Sequence, residues 1–283
     1  MAMQVEKYLE RIGISRREPP SAEFLARLQE AHLRNVPYEN CEIFFQRRVP
    51  SLAPEALYDK IVERGRGGYC FELNGAFAWL LAECGFSFSQ TFCRWCFNDP
   101  DPLPARRHRL LLVRLGRSTW LADVGICSPC PLTPLLLRTG VIQERNGLRF
   151  RIVRDPLHGF IVQKETPEEG FLNYFSFWNT PHFTQDFLYV NYYYSTEASS
   201  VFRNKLVVNI PAPDSRRRLF LDPDDPEKQT FIFRRERPGS PPEEQKFSRS
   251  DLRLLASLLA KHFFKTSLSP DALFRELFSQ EEN

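Results

Sequence analysis

The chain has 283 residues, a formal net charge of +3 and 26% charged residues. This length is enough for two or three packed units with a substantial core, and the small net charge argues against a nucleic-acid partner. No apolar stretch reaches membrane-spanning length and the first six residues lack the pattern of a signal peptide, so we expect a cytoplasmic protein without a membrane partner. The sequence sets no oligomeric state.

The first part of the chain, residues 1–87, has apolar residues at helical spacing. Ser21 is a suitable N-cap for a helix through Phe24, and a later helix runs from about Cys70 to the glycine at Gly85. We therefore predict a helical first domain.

The second part, residues 88–204, is rich in strand-forming residues up to about residue 195, and Asn146–Gly147 is a typical hairpin turn. The third part, residues 205–283, combines short strands with two helices that begin near Ser250 and Ser269. The chain thus divides into helical, β and mixed α/β domains in this prediction.

Cys70 is the strongest candidate for a nucleophilic residue. It follows Gly67–Gly68 and opens an apolar helical pattern. Paired glycines permit a tight turn, and the unpaired N–H groups and positive dipole end of a helix favour a thiolate, which is the nucleophilic form of cysteine. A buried helix cysteine is the alternative interpretation of the same stretch.

His108 and Asp123 stand in two apolar runs that form a predicted hairpin. A two-residue turn at Gly116–Arg117 places Leu110 opposite Asp123, so His108 is a diagonal neighbour that contacts the carboxylate if the register slips or a bulge intervenes. An acid of this kind orients an imidazole, whose other nitrogen then takes a thiol proton. Together with Cys70 these residues make a Cys/His/Asp set.

At this point the chain resembles the arylamine N-acetyltransferases. The resemblance rests on segments that occur in the family's order: Val36–Asn40, Arg66–Asn74, His108, Asp123–Gly125, and Asn191–Thr196 with Ser199 and Phe202. It covers about residues 5 to 210, and more loosely the rest of the chain.

The resemblance implies an α+β fold with an N-terminal helical bundle, a central β-barrel and a C-terminal α/β lid, as in papain-like and transglutaminase-like cysteine enzymes. It implies Cys70 as the acyl-accepting nucleophile, His108 as its base and Asp123 as the orienting acid. Glu39 and Arg66 match positions that we interpret as a buried ion pair bracing the cysteine turn.

The implied reaction is transfer of an acetyl group from acetyl-CoA, as a cosubstrate with no permanently bound cofactor, to an arylamine, hydrazine or hydroxylamine by a ping-pong mechanism. A related amide or macrolactam synthase and a cysteine hydrolase with the same triad are the alternatives.

The chain departs from the family at two segments that face the substrates. Gly125, Ile126 and Cys127 replace the usual Gly-Phe-Gly, which removes an aromatic wall and a flexible glycine and so bears on acceptor choice. Arg106 and Arg107 precede His108 in place of small residues, and they are candidates to bind coenzyme A phosphates or to form a solvated basic loop.

Two further cysteine pairs have the spacing of a zinc ribbon, namely Cys93 with Cys96 and Cys127 with Cys130. A zinc-stabilised binding module is therefore a competing hypothesis, and a redox pair at the second site is another. Cys93 and Cys96 stand in an apparent strand, where the two sulfurs face opposite sides, so we predict no metal site.

Overall fold

The structure is a computed structural model that describes residues 3–97, 99, 101–127, 129–211 and 215–278. Its first third is helical, as predicted. The helices there are α1 (Val5–Ile12), α2 (Ala22–Asn35), α3 (Cys41–Phe44), α4 (Pro54–Tyr58), which continues as a π-helical turn over Asp59–Glu63, and α5 (Cys70–Glu83).

Helix α2 begins where the sequence predicts. The Ser21 hydroxyl accepts a hydrogen bond from the Phe24 N–H at 3.0 Å, which satisfies one of the unpaired donors of the first turn. Phe24, Leu25 and Leu28 are fully buried, so one face of the helix packs into the core.

The centre of the molecule is an antiparallel sheet of near-barrel form, with eight strands among the described residues. In chain order the strands are β2 (Ser87–Trp95), β3 (Arg106–Leu115), β4 (Ser118–Ala122), β5 (Leu135–Leu136), β6 (Ile142–Arg145), β7 (Leu148–Asp155), β8 (Gly159–Thr166) and β9 (Gly170–Phe177). They pair in the order β5-β4-β3-β2-β9-β8-β7-β6.

Both predicted hairpin turns are confirmed. Leu115 pairs with Ser118 across Gly116–Arg117, and Asn146 and Gly147 join β6 to β7 with φ of 44° and 77°. Two successive positive φ values match the twist of the flanking strands, and asparagine and glycine adopt them at low cost.

The strand interpretation is wrong at the end of the central part. Thr184–Thr196 is a helix, α6, and Val201–Asn204 is a short helix, α7. The aromatic residues there suggested a strand, but Phe187, Asn191 and Ser195 are the buried positions and recur every four residues. Asp186 also accepts a hydrogen bond from the Phe183 N–H at 2.8 Å, which caps the helix.

The last part contains a second antiparallel sheet covered by two helices. Its members are β1 (Tyr38–Glu39), β10 (Val207–Pro211), β11 (Arg216–Leu221), β12 (Thr230–Glu236) and β13 (Glu243–Ser248), with α8 (Leu252–His262) and α9 (Pro270–Phe278). Strand β1 belongs to the first third of the sequence, so this sheet ties the two ends of the chain together.

One apolar core spans the first helices and the central sheet, and a second lies between the C-terminal sheet, α8 and α9. The mixture of helical, near-barrel and α/β parts is the fold class that the sequence predicts. The exact division at 87 and 204 stays a prediction. No helix within the described ranges is both long and apolar enough for a membrane span.

Candidate active site

Cys70 is the first residue of α5, directly after a turn that only glycine permits. A Cβ at Gly67 would lie 2.0 Å from the Pro37 carbonyl oxygen, and a Cβ at Gly68 would lie 2.8 Å from the Cβ of Glu72. The Cys70 side chain is 2% exposed, with its Sγ 3.7 Å from the Arg107 carbonyl oxygen. The thiol therefore sits at the positive end of a helix, where a thiolate is favoured.

His108 lies on β3 and contacts Asp123, which follows the last residue of β4. His108 Nε2 is 2.6 Å from Asp123 Oδ2, and both side chains are buried. The β3–β4 register pairs Leu111 with Ala122 and so continues to the predicted pairing of Leu110 with Asp123. The side chains meet across this diagonal without a register slip, and the bulge lies between β2 and β3 at Cys93 and Arg94.

The environment of His108 favours the imidazolium. Burial opposes the charge, but the Asp123 carboxylate and a hydrogen bond and charge from Cys70 raise the pKa of His108 to about 10. Since Nε2 is bound to Asp123, Nδ1 is the nitrogen that faces the thiol. The His108 imidazolium thus places a positive charge beside Cys70, with which a thiolate can pair.

Asp123 is itself fixed by side chains that sequence reasoning missed. Its Oδ1 accepts hydrogen bonds from Asn74 Nδ2 at 2.9 Å and from the Gly125 N–H at 2.8 Å, and its own N–H donates to Gln29 Oε1 at 3.0 Å. Asn74 is four residues after Cys70 on the same helix face, which is a signal that the sequence did contain. Gln29 carries no such signal.

Glu39 and Arg66 form a buried ion pair beside the cysteine turn, at 2.8 Å. Burial disfavours the carboxylate, but Arg66 and Lys60 hold the pKa of Glu39 at about 2. Lys60 also pairs with Glu72 at 2.7 Å, and Glu72 accepts a hydrogen bond from the Tyr69 N–H at 3.0 Å. The sequence contains no signal for a buried Lys60, because a lysine in a helical pattern is usually solvated.

A cavity of about 210 Å³ opens beside the Cys70 side chain. It is lined by Cys70, His108, the substrate-facing candidates Arg107, Gly125, Ile126 and Cys127, and the side chains Tyr38, Trp95, Val201, Phe202 and Val207. Arg106 is exposed and does not line it, and Arg107 forms an ion pair with Asp99 at 2.5 Å.

The cavity wall at Gly125 lies directly against Cys70. A Cβ at this position would lie 2.8 Å from Cys70 Cα, so no larger side chain fits. The aromatic surface that Ile126 does not supply is provided by other residues, since Tyr38, Trp95 and Phe202 line the same cavity.

The seven cysteines all lie within the described residues and are free thiols. Cys93 is buried on β2 opposite His108, and Cys96 lies beyond the end of that strand with its Sγ 3.8 Å from Ser176 Oγ. Within the described part of the chain, no group of three or more His, Cys, Asp or Glu side chains is arranged to hold a metal ion. Ser128, inside the second pair, lies outside the described residues.

The sequence and the fold both match known proteins. A family model described as N-acetyltransferase matches residues 21–226. The arylamine N-acetyltransferase of Mycobacterium tuberculosis is 32% identical over 220 residues, which cover 76% of this chain and 77% of the relative.

Two solved structures have the same fold over nearly their whole length. The arylamine N-acetyltransferase from Salmonella typhimurium superposes with a TM-score of 0.83 and 26% identity, covering 99% of each chain. The Mycobacterium marinum arylamine N-acetyltransferase in complex with CoA superposes with a TM-score of 0.79 and 26% identity, covering 98% of this chain and 99% of that one.

Proposed function

Since the chain belongs to the arylamine N-acetyltransferase family and is therefore an acyltransferase, we propose that it carries an acetyl group from acetyl-CoA to an amine through an acyl-cysteine on Cys70. The observation that carries the proposal is the contact of Cys70 with a histidine whose pKa is raised to about 10. Such a pair supplies a thiolate at neutral pH.

In the first half-reaction the Cys70 thiolate attacks the carbonyl carbon of the thioester. A new C–S bond forms to Cys70, the C–S bond to coenzyme A breaks, and the departing thiolate takes the proton from His108 Nδ1. Asp123 keeps Nε2 occupied throughout and stabilises the imidazolium.

In the second half-reaction a neutral amine attacks the acyl-cysteine. His108 Nδ1 takes the proton of the attacking nitrogen, the C–S bond to Cys70 breaks, and the thiolate–imidazolium pair is restored. An arylamine suits this step because it is weakly basic and stays neutral at pH 7, whereas an alkylamine is protonated. A hydrazine or a hydroxylamine is also less basic than an alkylamine.

The donor is proposed to be acetyl-CoA, in line with the CoA complex of the Mycobacterium marinum relative. Arg106 is exposed at the start of β3 and is free to reach a phosphate, whereas the Arg107 guanidinium is engaged by Asp99. We therefore assign phosphate contact mainly to Arg106, with Arg107 shaping the cavity wall.

The acceptor is proposed to lie among Tyr38, Trp95 and Phe202, with Ile126 and Cys127 setting its fit. These side chains border the same cavity as Cys70, and aromatic rings pack favourably on one another. The free cysteines suit a reducing compartment, and we propose the cytoplasm.

The test is the intact mass of the protein after mixing with acetyl-CoA alone. We expect the mass of one acetyl group to be added to the wild type and to disappear when an arylamine follows. Cys70→Ala should remain unmodified, and Cys84→Ala, which changes a buried cysteine outside the cavity, should be acetylated like the wild type. Acetylation of Cys70→Ala, or a wild type that stays unmodified, contradicts the mechanism.

A further inference from the structure

Arg109 is a buried cation that the mechanism above does not use. It is 2% exposed and follows His108 on β3, so its side chain points to the opposite face of the strand, against α5. Its Nη1 donates a hydrogen bond to the Phe71 carbonyl oxygen at 3.1 Å, one residue from Cys70. Buried charges in proteins are normally paired with an opposite charge.

The contacts of Arg109 are all to neutral groups. Nε donates to Gln90 Oε1 at 2.8 Å, Nη2 donates to the same oxygen, and the guanidinium carbon lies 4.7 Å from the centre of the Phe187 ring. Within the described ranges no carboxylate forms an ion pair with it. Burial lowers the pKa of Arg109 to about 10, so it is still a cation at neutral pH.

Helix α5 is shaped to admit this cation. Gly75 lies inside the helix, where glycine is less stable than alanine. A Cβ at Gly75 would lie 2.7 Å from Arg109 Nη1 and 2.8 Å from Leu57 Cδ1. Gly75 therefore lowers the stability of the helix but leaves space for the guanidinium to approach the first turn. Residues that are locally unfavourable in this way are concentrated at functional sites.

We propose that Arg109 is a positioning residue that stabilises the Cys70 thiolate by its charge and its hold on the Phe71 carbonyl, in addition to the His108 imidazolium. This inference rests on the proposed role of Cys70 as the nucleophile. Burial lowers the pKa of Arg109, and the groups that oppose this are Cys70 and Tyr69. Because burial raises the pKa of Tyr69 well above its usual range, Tyr69 is neutral, and of these two groups Cys70 is the one that can carry a negative charge beside Arg109.

The other titratable groups around Cys70 leave this assignment intact. Burial raises the pKa of the neutral neighbours Tyr38, Cys93 and Cys127. The other ionisable neighbours already have partners of opposite sign: His108 with Asp123, Arg107 with Asp99, and Glu72 with Lys60.

The test measures iodoacetamide labelling of Cys70 as a function of pH, followed on the Cys70 peptide by mass spectrometry. Arg109→Met removes the charge and keeps most of the stem, so we expect the labelling midpoint to rise by roughly one pH unit. Arg109→Lys retains the charge and should shift it less. Arg114→Met, on the exposed part of the same strand, should leave the midpoint unchanged.

Gln90→Glu keeps the proposal testable if Arg109→Met does not fold. A carboxylate at this position pairs with the Arg109 guanidinium and should raise the melting temperature. It should also offset the positive charge of Arg109 at Cys70 and so raise the pH midpoint of labelling. A purely structural Arg109 predicts the higher melting temperature with an unchanged midpoint, and that result overturns the proposal, as does an unchanged midpoint in folded Arg109→Met. Labelling needs no acyl donor, so a failure of the proposed acetyl transfer is recognised separately.

Discussion

At the scale of single residues, the environment of His108 sets the pH range over which its imidazole stays protonated. The pKa of an ordinary histidine is 6.5, and that of His108 is raised to about 10, mainly by Asp123 and Cys70 against the effect of burial. A raised folded-state pKa means that protonated His108 stabilises the fold fully below pH 6.5, and that this contribution is lost as the pH rises through about 10. His108 is therefore expected to stay protonated across the neutral range.

We expect Asp123→Asn to slow iodoacetamide labelling of Cys70 at pH 7 by about tenfold or more. The new amide can still accept from Asn74 and Gly125, but its N–H₂ group donates to His108 Nε2 and leaves the ring proton on Nδ1, facing the thiol. The pKa of His108 should then fall, because burial is no longer opposed by a carboxylate. The measurement is the labelling rate between pH 5 and 10.

The matched control is Asp155→Asn, which changes a partly exposed aspartate that binds His158 at 2.9 Å. It should leave Cys70 labelling unchanged. Equal labelling rates in the wild type and Asp123→Asn would remove the ion-pair assignment.

The residues Ile126 and Cys127 should affect the acceptor more than the donor. Ile126 is 4% exposed on the cavity wall, and burial raises the pKa of Cys127 to about 11, so its thiol is neutral. We expect Ile126→Phe with Cys127→Gly to raise kcat/KM for aniline-type acceptors about 10-fold, if one aromatic contact of about 1 to 1.5 kcal/mol is gained.

Stopped-flow acylation and steady-state transfer on the same variant measure the two half-reactions. Ile126→Leu with Cys127→Gly is the control that lacks the ring. If acylation changes as much as transfer, the segment shapes the donor site and the assignment to the acceptor is wrong.

At the scale of elements, the start of α5 is supported by a buried ionic cluster. Among the described residues, the carboxylates of Glu39, Glu42 and Glu72 surround the Lys60 ammonium at 3.8, 3.1 and 2.7 Å, and Arg66 pairs with Glu39. Glu276 also pairs with Arg66 at 2.8 Å and with Arg64 at 3.0 Å, so four acids face three bases in the extended group. Burial and the two neighbouring carboxylates raise the pKa of Glu72 to about 7 despite Lys60, which marks it as the acid in excess.

Removing a base from this cluster should therefore cost far more than removing an acid. We expect Lys60→Met to lower the free energy of unfolding by about 3–5 kcal/mol, because it leaves buried carboxylates unpaired. Glu72→Gln should cost less than that, since the amide oxygen can still accept from the Tyr69 N–H and Lys60 keeps two carboxylates, although the amide N–H₂ group then faces the Lys60 ammonium. Urea unfolding of both variants at pH 7 checks the asymmetry, and equal losses would contradict it.

The sequence predicted elements whose geometry is set locally. The β3–β4 register follows from the two-residue turn at Gly116–Arg117, and the position of Cys70 at the start of a helix follows from the glycines before it. Helix α6 escapes the sequence pattern because its buried positions include the polar Asn191 and Ser195, and burial of a side chain such as Asn191 depends on partners elsewhere in the chain. Asn191 Oδ1, for example, accepts a hydrogen bond from the Tyr69 hydroxyl.

At the scale of the whole molecule, the C-terminal segment packs on the turn that precedes Cys70. The Lys265 N–H donates to the Gly65 carbonyl oxygen at 3.0 Å, and Arg66 Nη1 lies 2.8 Å from Glu276 Oε1. Arg66 thus binds Glu39 from the N-terminal third and Glu276 from the last helix. The sequence predicts the Glu39–Arg66 pair only by resemblance. It does not predict Glu276, because a contact between residues about two hundred positions apart leaves no periodic pattern.

Substitution of Gly65 should report this docking. Gly65 has φ of +65°, and a Cβ there would lie 2.0 Å from the Lys265 carbonyl oxygen, whereas Gly116 has φ of +58° and no atom within 4 Å of such a Cβ. Both Gly→Ala changes carry the left-handed backbone penalty of about 1–2 kcal/mol, but only Gly65→Ala also forces the C-terminal segment away.

We therefore expect Gly65→Ala to lower the free energy of unfolding by clearly more than Gly116→Ala, and to speed proteolytic cleavage between β13 and α9. The displaced segment carries the partner of Arg66. The pH profile of Cys70 labelling should therefore shift in Gly65→Ala, while Gly116→Ala should keep the wild-type profile. Urea unfolding, limited proteolysis and the labelling profile of the two variants supply the comparison. Equal destabilisation of the two variants would mean that displacing the C-terminal segment costs no free energy, and that this segment and the turn before Cys70 are energetically independent.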